Sequence, residues 1–183
     1  MLTTKEIMDI IPHRHPFLLV DTIEEMEPGV RAVGKKCVTY DEYYFRGHFP
    51  EEPVMPGVLI IEALAQVGAV CVLSCDQFKG KTAYFGGINH CKFKKKVVPG
   101  DVLRLEVELI KQKGPIAIAK ATATVDGKVA AAAELTVAIG ESRGVGYHVS
   151  ENINCKPWRN CSADYSCMPG NGNSDSGGIF RGR

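Results

Sequence analysis

A histidine, a glycine and a glutamate that together could perform acid–base chemistry fall within fifteen residues, in the stretch FRGHFPEEPVMPGVLIIE (45–62). His48 is the type of side chain that takes or gives a proton most readily near neutral pH. Glu62 enters an apolar run, where a carboxyl group is costly to bury unless it is paired or holds a proton, which suits a general acid. Gly57 stands where a helix should begin, so its N–H could stabilise a developing oxyanion. These groups would suit removal of a proton next to a carbonyl and loss of a β-hydroxyl.

The loop between His48 and the apolar run contains a proline at every third position, Pro50, Pro53 and Pro56. Proline fixes φ near −65° and removes a backbone donor, so this loop should be rigid and non-helical. We expect Pro56 to stand in the first turn of the following helix, where proline is tolerated best. The loop is therefore predicted to hold His48 near the N-terminus of that helix.

The run GVLIIEALAQVGAVCVLSCD (57–76) predicts a helix that is apolar on nearly every face. It is shorter than a membrane span and includes a carboxylate near its start, so a buried core helix is the better interpretation. Glu62 and Gln66 are four residues apart and share one helix face. Gln66 is predicted to be an orienting or structural hydrogen-bond partner of Glu62.

The rest of the pattern predicts a sheet. LRLEVELIK (103–111) alternates apolar and polar residues, as a half-buried strand does. Asp126-Gly127 predicts a tight hairpin between strands at 116–125 and 129–139, and Pro28-Gly29 predicts another between 17–27 and 30–40. A short helix is expected over 3–11, beginning at a Thr cap and ending before Pro12. The predicted fold class is α+β, with a curved antiparallel sheet wrapped around one long apolar helix.

Composition divides the chain of 183 residues into a domain at 1–141 and a tail at 142–183. The tail is rich in Gly, Ser and Asn and lacks hydrophobic periodicity, so we expect it to be disordered, and whether it is native is left open. Its three cysteines, Cys155, Cys161 and Cys167, lack the paired spacings of zinc sites, so no metal is expected. A net charge of +1 gives no general attraction to nucleic acid or membrane.

The first residues, MLTTKEIMDIIPHRHP, lack the basic and apolar regions of a secretory signal. The seven cysteines form no paired framework, and those at positions 37, 71, 75 and 91 are expected to behave as small hydrophobic residues. A reducing cytoplasm is the expected location.

The residues alone also allow structural interpretations. A single loop histidine is more often a surface or hydrogen-bonded residue, and Glu62 could form a buried ion pair. His13 and His15 are expected to anchor the entry to the first strand, and His90 to be superficial. None of these three histidines has an acidic partner that the sequence reveals.

Four segments, PHRHPFLLVD, GHFPEEPVMPGVLIIEALAQ, FGGINHCKFKKKVVPGD and VDGKVA, occur in this order through residues 1–141. Together they resemble the (3R)-hydroxyacyl-[acyl-carrier-protein] dehydratases of bacterial type II fatty-acid synthesis, the FabZ type. The resemblance implies a hot-dog fold and a homodimer joined edge to edge, commonly three dimers to a hexamer. It also implies dehydration of a 3-hydroxyacyl thioester to the trans-2-enoyl thioester, with acyl carrier protein as partner and no cofactor.

The same resemblance implies a role for each matching residue. His48 would act on the C2 proton, Glu62 would help the hydroxyl leave, and the N–H of Gly57 would bind the thioester carbonyl. A backbone carbonyl near Val54 would orient His48, and His48 and Glu62 would come from different subunits.

The basic segment KFKKK contains Lys92, Lys94, Lys95 and Lys96. By pattern it is a strand edge protected by lysines. The resemblance implies a docking patch for the acidic carrier protein, with Lys92 or Lys96 the strongest candidates.

Two other functions remain as alternatives. A hot-dog thioesterase would hydrolyse the thioester with a carboxylate and the helix-end N–H. A non-catalytic acyl-binding module would bind without turnover, although a regulator of this kind would need a DNA-binding segment for which there is no room before residue 12. The form PGVLIIEALAQ is that of FabZ, since FabA-like enzymes have Asp in place of Glu62; isomerase activity is left open.

Overall fold

The computed structural model describes residues 1–140. Two helices and six strands follow one another as α1 (Thr4–Ile10), β1 (Thr22–Glu27), β2 (Arg31–Cys37), α2 (Gly57–Leu73), β3 (Thr82–Phe93), β4 (Val102–Lys113), β5 (Ile116–Val125) and β6 (Lys128–Gly140). Short 3₁₀ turns lie at Tyr43–Arg46 and Asp76–Phe78. The predicted tail at 142–183, with its three cysteines, lies outside the described residues.

The six strands form one antiparallel sheet in the order β1-β2-β4-β5-β6-β3. The alternation expected in β4 is present, because Leu103, Leu105 and Val107 are completely buried. Asp126 and Gly127 both have positive φ, 49° and 73°, as the two central residues of a tight hairpin turn require. The predicted α+β fold with an antiparallel sheet and a central helix is confirmed.

Helix α2 packs against the sheet with twelve of its seventeen residues buried. The packing is close where β2 crosses the helix, since a Cβ on Gly34 would lie 2.6 Å from Cγ2 of Val67. A glycine in β2 therefore allows the helix and the strand to approach each other. No helix within residues 1–140 is long and apolar enough to cross a membrane.

Several expected boundaries differ. Pro56 is the N-cap of α2 rather than a residue of its first turn, and the helix ends at Leu73 instead of 76. Strand β1 starts at Thr22 because Phe17 and Leu18 both donate their N–H groups to the carbonyl of Arg14 in a turn. The sequence predicted a strand edge only at KFKKK (92–96) and no strand over the rest of 82–93, where β3 lies.

The expectation for the cysteines was only partly right. Cys71 is fully buried in the core and Cys75 packs against it, as expected of small hydrophobic residues. Cys37 and Cys91 are exposed instead.

Candidate active site

The loop that follows the first 3₁₀ turn fixes the ring of His48. The backbone N–H of His48 donates to the carbonyl of Tyr44 at 3.0 Å, and the N–H of Val54 donates to the carbonyl of His48 at 3.1 Å. Nδ1 of His48 lies 2.9 Å from the carbonyl oxygen of Val54. Because a carbonyl only accepts, Nδ1 carries the hydrogen and Nε2 of the neutral ring is left with a lone pair that can take a proton.

Gly57 is the first residue of α2, so its N–H has no acceptor within the helix. The positive end of the helix dipole lies at the same place. Gly57 and His48 line one cavity of about 490 Å³. The cavity therefore has a base and a backbone donor suited to a carbonyl oxygen that gains negative charge.

The side chain of Phe93, at the end of β3, covers this helix start. A Cβ on Gly57 would lie 2.7 Å from Cε1 and 2.8 Å from Cδ1 of the phenyl ring. Glycine at position 57 thus permits direct contact between the aromatic ring and the backbone. Phe93 is itself 54% exposed and forms part of the cavity wall.

Glu62 lies in a second cluster, organised by Gln66, whose side chain is buried. Nε2 of Gln66 donates to the carbonyl of Phe17 at 2.8 Å and to Oε1 of Glu62 at 2.9 Å. Oε1 of Gln66 accepts the N–H of Leu19 at 2.8 Å. These three bonds join α2 to the segment before β1 and fix one oxygen of the carboxylate.

His13 belongs to the same cluster as Glu62 and Gln66, a position that the sequence did not predict. Nε2 of His13 lies 3.5 Å from Oε1 of Glu62, an acidic partner that the sequence did not reveal. The two residues are far apart in the chain, and only the docking of the 11–19 segment onto α2 brings them together. The sole signal in the sequence was the histidine-rich PHRHP motif.

Burial lowers the pKa of His13, and the nearby Arg14 guanidinium lowers it further while Glu62 opposes both effects. His15 instead lines a separate polar depression with Lys36 and Asp21. His90 is exposed, with φ of 51°, in an irregular part of β3.

Within one chain, the cavity around His48 and the cluster around Glu62 are separate. Glu62 does not line the cavity formed around His48 and Gly57. The side-chain partners of Glu62, which are Gln66 and His13, do not line it either.

Three of the four lysines of the KFKKK segment line the His48 cavity. Lys94, Lys95 and Lys96 line it, whereas Lys92 pairs with Ala132 in the sheet. Nζ of Lys96 lies 2.5 Å from Oε1 of Glu52, which neutralises part of its charge. Among residues 1–140, no ion pair engages Lys94 or Lys95, so their charge is the more available at the cavity.

In the part of the chain that the structure describes, no group of three or more His, Cys, Asp or Glu residues is placed so that it could hold a metal ion.

Residues 11–134 match the model of the FabA-like domain family. The 3-hydroxyacyl-[acyl-carrier-protein] dehydratase FabZ of Clostridium novyi (strain NT) is 67% identical over 140 residues, covering 76% of this chain and 99% of that protein. The protein of the same name from Clostridium botulinum (strain Kyoto / Type A2) is 70% identical, with 76% and 97% covered. The chain belongs to the FabZ family.

Two solved structures show the same fold at low identity. The dehydratase heterocomplex ApeI:P from Xenorhabdus doucetiae matches with a TM-score of 0.62 at 16% identity, covering 74% of this chain and 91% of that chain. The uncharacterized protein PH1136 from Pyrococcus horikoshii matches with a TM-score of 0.57, also at 16% identity, with 73% and 92% covered. The hot-dog fold predicted from the motifs is confirmed, while membership of the FabZ family rests on the sequence matches.

Proposed function

We propose that this chain dehydrates (3R)-hydroxyacyl-[acyl-carrier-protein] to the trans-2-enoyl form in fatty-acid elongation. Membership of the FabZ family supports the reaction, because the relatives are named for it. The observation that carries the proposal onto this chain is the cavity in which His48, with Nδ1 bonded to Val54, stands beside the N–H of Gly57, which has no acceptor within α2.

The proposed reaction breaks the C2–H and C3–O bonds and forms the C2=C3 π bond and one O–H bond of water, with no change in overall oxidation state. Nε2 of His48 removes the C2 proton, and the electron pair forms the C2=C3 double bond as the C3–O bond breaks. The hydroxyl receives a proton from Glu62, directly or through a water molecule, and leaves as water; passage of the C2 proton from His48 to Glu62 then restores both groups. The N–H of Gly57 stabilises negative charge on the thioester oxygen. Since the steps are proton transfers and an elimination, no cofactor is required.

The separation of Glu62 from the His48 cavity supports a site shared between two subunits. Strand β3 is an edge strand of the sheet. Within residues 1–140, its residues 85–93 have β6 as their only neighbouring strand. Phe85, Ile88 and Phe93 on this strand are exposed, as expected of a surface that another copy covers. We propose a homodimer joined along β3, in which one subunit supplies His48 and Gly57 and the other supplies Glu62; three such dimers would form a hexamer.

The lysines at the cavity support docking of an acidic carrier protein. Lys94, Lys95 and Lys96 place positive charge beside the opening through which a thioester would enter, and Lys92 is close in sequence. Such complementarity accelerates encounter more than it tightens binding. We propose Lys94 and Lys95 as stronger candidates than Lys92 and Lys96, because Lys96 is paired with Glu52 and Lys92 does not line the cavity. A location in the cytoplasm, with the other enzymes of fatty-acid elongation, follows from this partner.

The reaction is tested by incubating the full chain with a carrier-bound 3-hydroxybutyryl thioester. The increase in enoyl-thioester absorbance and the release of free thiol are measured on the same sample. Enoyl formation without thiol is the expected result. Thiol release would identify a thioesterase, and tight binding with neither product would identify a non-catalytic acyl-binding module; both would contradict the proposal.

A further inference from the structure

We infer that His13 is a positioning residue for Glu62, holding one carboxylate oxygen so that the other faces the reacting hydroxyl. The inference rests on the proposed role of Glu62 and extends it to a third side chain. The contact that motivates it is the distance of 3.5 Å between Nε2 of His13 and Oε1 of Glu62.

The segment bearing His13 is fixed at both ends of its turn. Nη1 of Arg14 donates to the carbonyl of Ile11 at 2.9 Å and to that of His13 at 2.7 Å. The buried side chain of Ile11 anchors the start of the segment in the core. Gln66 binds the backbone of Phe17 and Leu19 on the other side of the turn. His13 is thus placed against α2 by backbone contacts and not by its own ring alone.

The protonation state of His13 follows from its surroundings. The ring is only 22% exposed, and burial together with the Arg14 charge lowers its pKa, so it is neutral at pH 7. A neutral imidazole has a single N–H. Oε1 of Glu62 already accepts a hydrogen bond from Gln66, so the hydrogen of His13 belongs on Nε2, which faces that oxygen. Nδ1 is then an acceptor, and it is buried without a hydrogen-bond partner among residues 1–140. A buried polar atom left unsatisfied costs stability, as expected where function sets the arrangement.

Both partners of the carboxylate act on the same oxygen. Gln66 donates to Oε1 of Glu62 at 2.9 Å, and His13 faces Oε1 from the 11–16 segment. One hydrogen bond and one close polar contact on the same oxygen restrict rotation of the carboxyl group and leave Oε2 for the substrate. A catalytic group held in this way loses less entropy when the reaction occurs. The ring of His13 also stacks near Phe17, at a centroid distance of 6.3 Å, so packing alone is the competing explanation.

Two substitutions separate positioning from packing. His13→Phe keeps an aromatic ring beside Phe17 but removes the N–H. His13→Gln removes the ring but carries an amide N–H at about the reach of Nε2. If His13 positions Glu62, His13→Phe should lower kcat by about tenfold or more and leave KM for a short 3-hydroxyacyl thioester within about twofold, whereas His13→Gln should recover most of kcat. Packing alone predicts the opposite order.

A double-mutant comparison gives a second readout. Glu62→Gln removes the carboxylate on which His13 acts, so adding His13→Phe should cost little further activity. Independent structural damage would instead multiply the two losses. Thermal unfolding of each variant establishes that the proteins compared are folded. If His13→Phe does not fold, His13→Gln is compared with and without Glu62→Gln in the same way. Near wild-type kcat in His13→Gln then supports the inference.

The possible outcomes are distinct. A wild-type kcat in folded His13→Phe, while Glu62→Gln is inactive, would overturn the inference and leave the proposed function intact. Equal losses in His13→Phe and His13→Gln that multiply with Glu62→Gln would overturn it also. An active Glu62→Gln enzyme would instead refute the proposed role of Glu62 itself.

Discussion

Nδ1 of His48 lies 2.9 Å from the carbonyl oxygen of Val54, six residues further along the same loop. The bond closes a short loop that contains Pro50 and Pro53, whose fixed φ angles limit its other conformations. The backbone N–H of Val54 in turn donates to the carbonyl of His48, so the two residues are joined in both directions. The imidazole therefore has a defined tautomer and orientation before any substrate binds.

The first prediction concerns the two proposed proton-transfer groups. His48→Ala and Glu62→Gln should each reduce turnover by about 10²–10⁴-fold, the usual contribution of a general acid or base. Both proteins should remain folded, because neither side chain belongs to the buried core. Enoyl formation and the circular dichroism spectrum are measured for each. Near wild-type turnover in folded His48→Ala would refute the mechanism.

A second prediction follows from the contact between Gly57 and Phe93. Gly57→Ala would place a methyl group 2.7 Å from the phenyl ring, which must move. Because that ring is 54% exposed within its own chain and alanine favours helix, we expect little loss of stability in the fold of the single subunit. The displaced ring and the methyl group should crowd the thioester carbonyl and lower kcat/KM by about tenfold, less than removal of an oxyanion donor would.

The pair also provides its own rescue experiment. Adding Phe93→Leu to Gly57→Ala should restore part of the activity, because the smaller side chain leaves room for the methyl group. Gly47→Ala is a matched control, since no atom lies within 4 Å of the added Cβ and its φ is not in the left-handed region. If Gly57→Ala is as active as Gly47→Ala, the close approach of the ring has no functional consequence.

These positions also show what the sequence could and could not predict. The period of two in β4, the Asp126-Gly127 turn and the apolar run of α2 are local signals, and each led to the correct element. The contact between His13 and Glu62 depends on how a turn docks onto α2, and no local pattern encodes it. Strand β3 was missed over most of its length because its segment lacks regular alternation: two glycines and an irregular stretch at Asn89–Lys92 interrupt it.

A third prediction concerns carrier docking. Lys94→Glu together with Lys95→Glu should raise KM for carrier-bound substrate several-fold and weaken its dependence on salt, because both charges lie at the cavity and are not engaged in ion pairs within 1–140. Turnover of a short thioester should be little changed. Lys111→Glu, an exposed position on β4 away from the cavity, is the control. Equal losses on both substrates would indicate misfolding rather than lost docking.

The lowered pKa of His13 predicts a pH effect on stability. Burial, the main cause, holds the pKa of the folded protein below the ordinary value of 6.5, so the unfolded chain binds a proton first as pH falls. The contribution of neutral, buried His13 to the free energy of unfolding is fully present above pH 6.5. It is lost as pH decreases from there toward the folded-state pKa, by at most about 1.4 kcal/mol per pH unit. Urea unfolding at pH 7.5 and 5.5 should show a larger loss for the wild type than for His13→Gln. An equal loss would contradict the shift.

The last prediction tests how the site is assembled. Because Glu62 does not line the cavity around His48 of its own chain, each site should combine His48 of one subunit with Glu62 of the other. A mixed dimer of His48→Ala and Glu62→Gln subunits then has one site with both lesions and one with neither. With random association half of the dimers are mixed, so co-refolding two inactive proteins should restore roughly a quarter of wild-type sites.

The matched control for this experiment is co-refolding of His48→Ala with His48→Asn, two lesions at one position that no exchange of subunits can complement. Enoyl formation is measured after mixing, and subunit exchange is verified by mass spectrometry with one partner isotopically labelled. Recovery in the first mixture but not in the control requires that the two groups come from different chains. Exchange without recovery would place His48 and Glu62 in the same chain, and the dimer along β3 would then need another function.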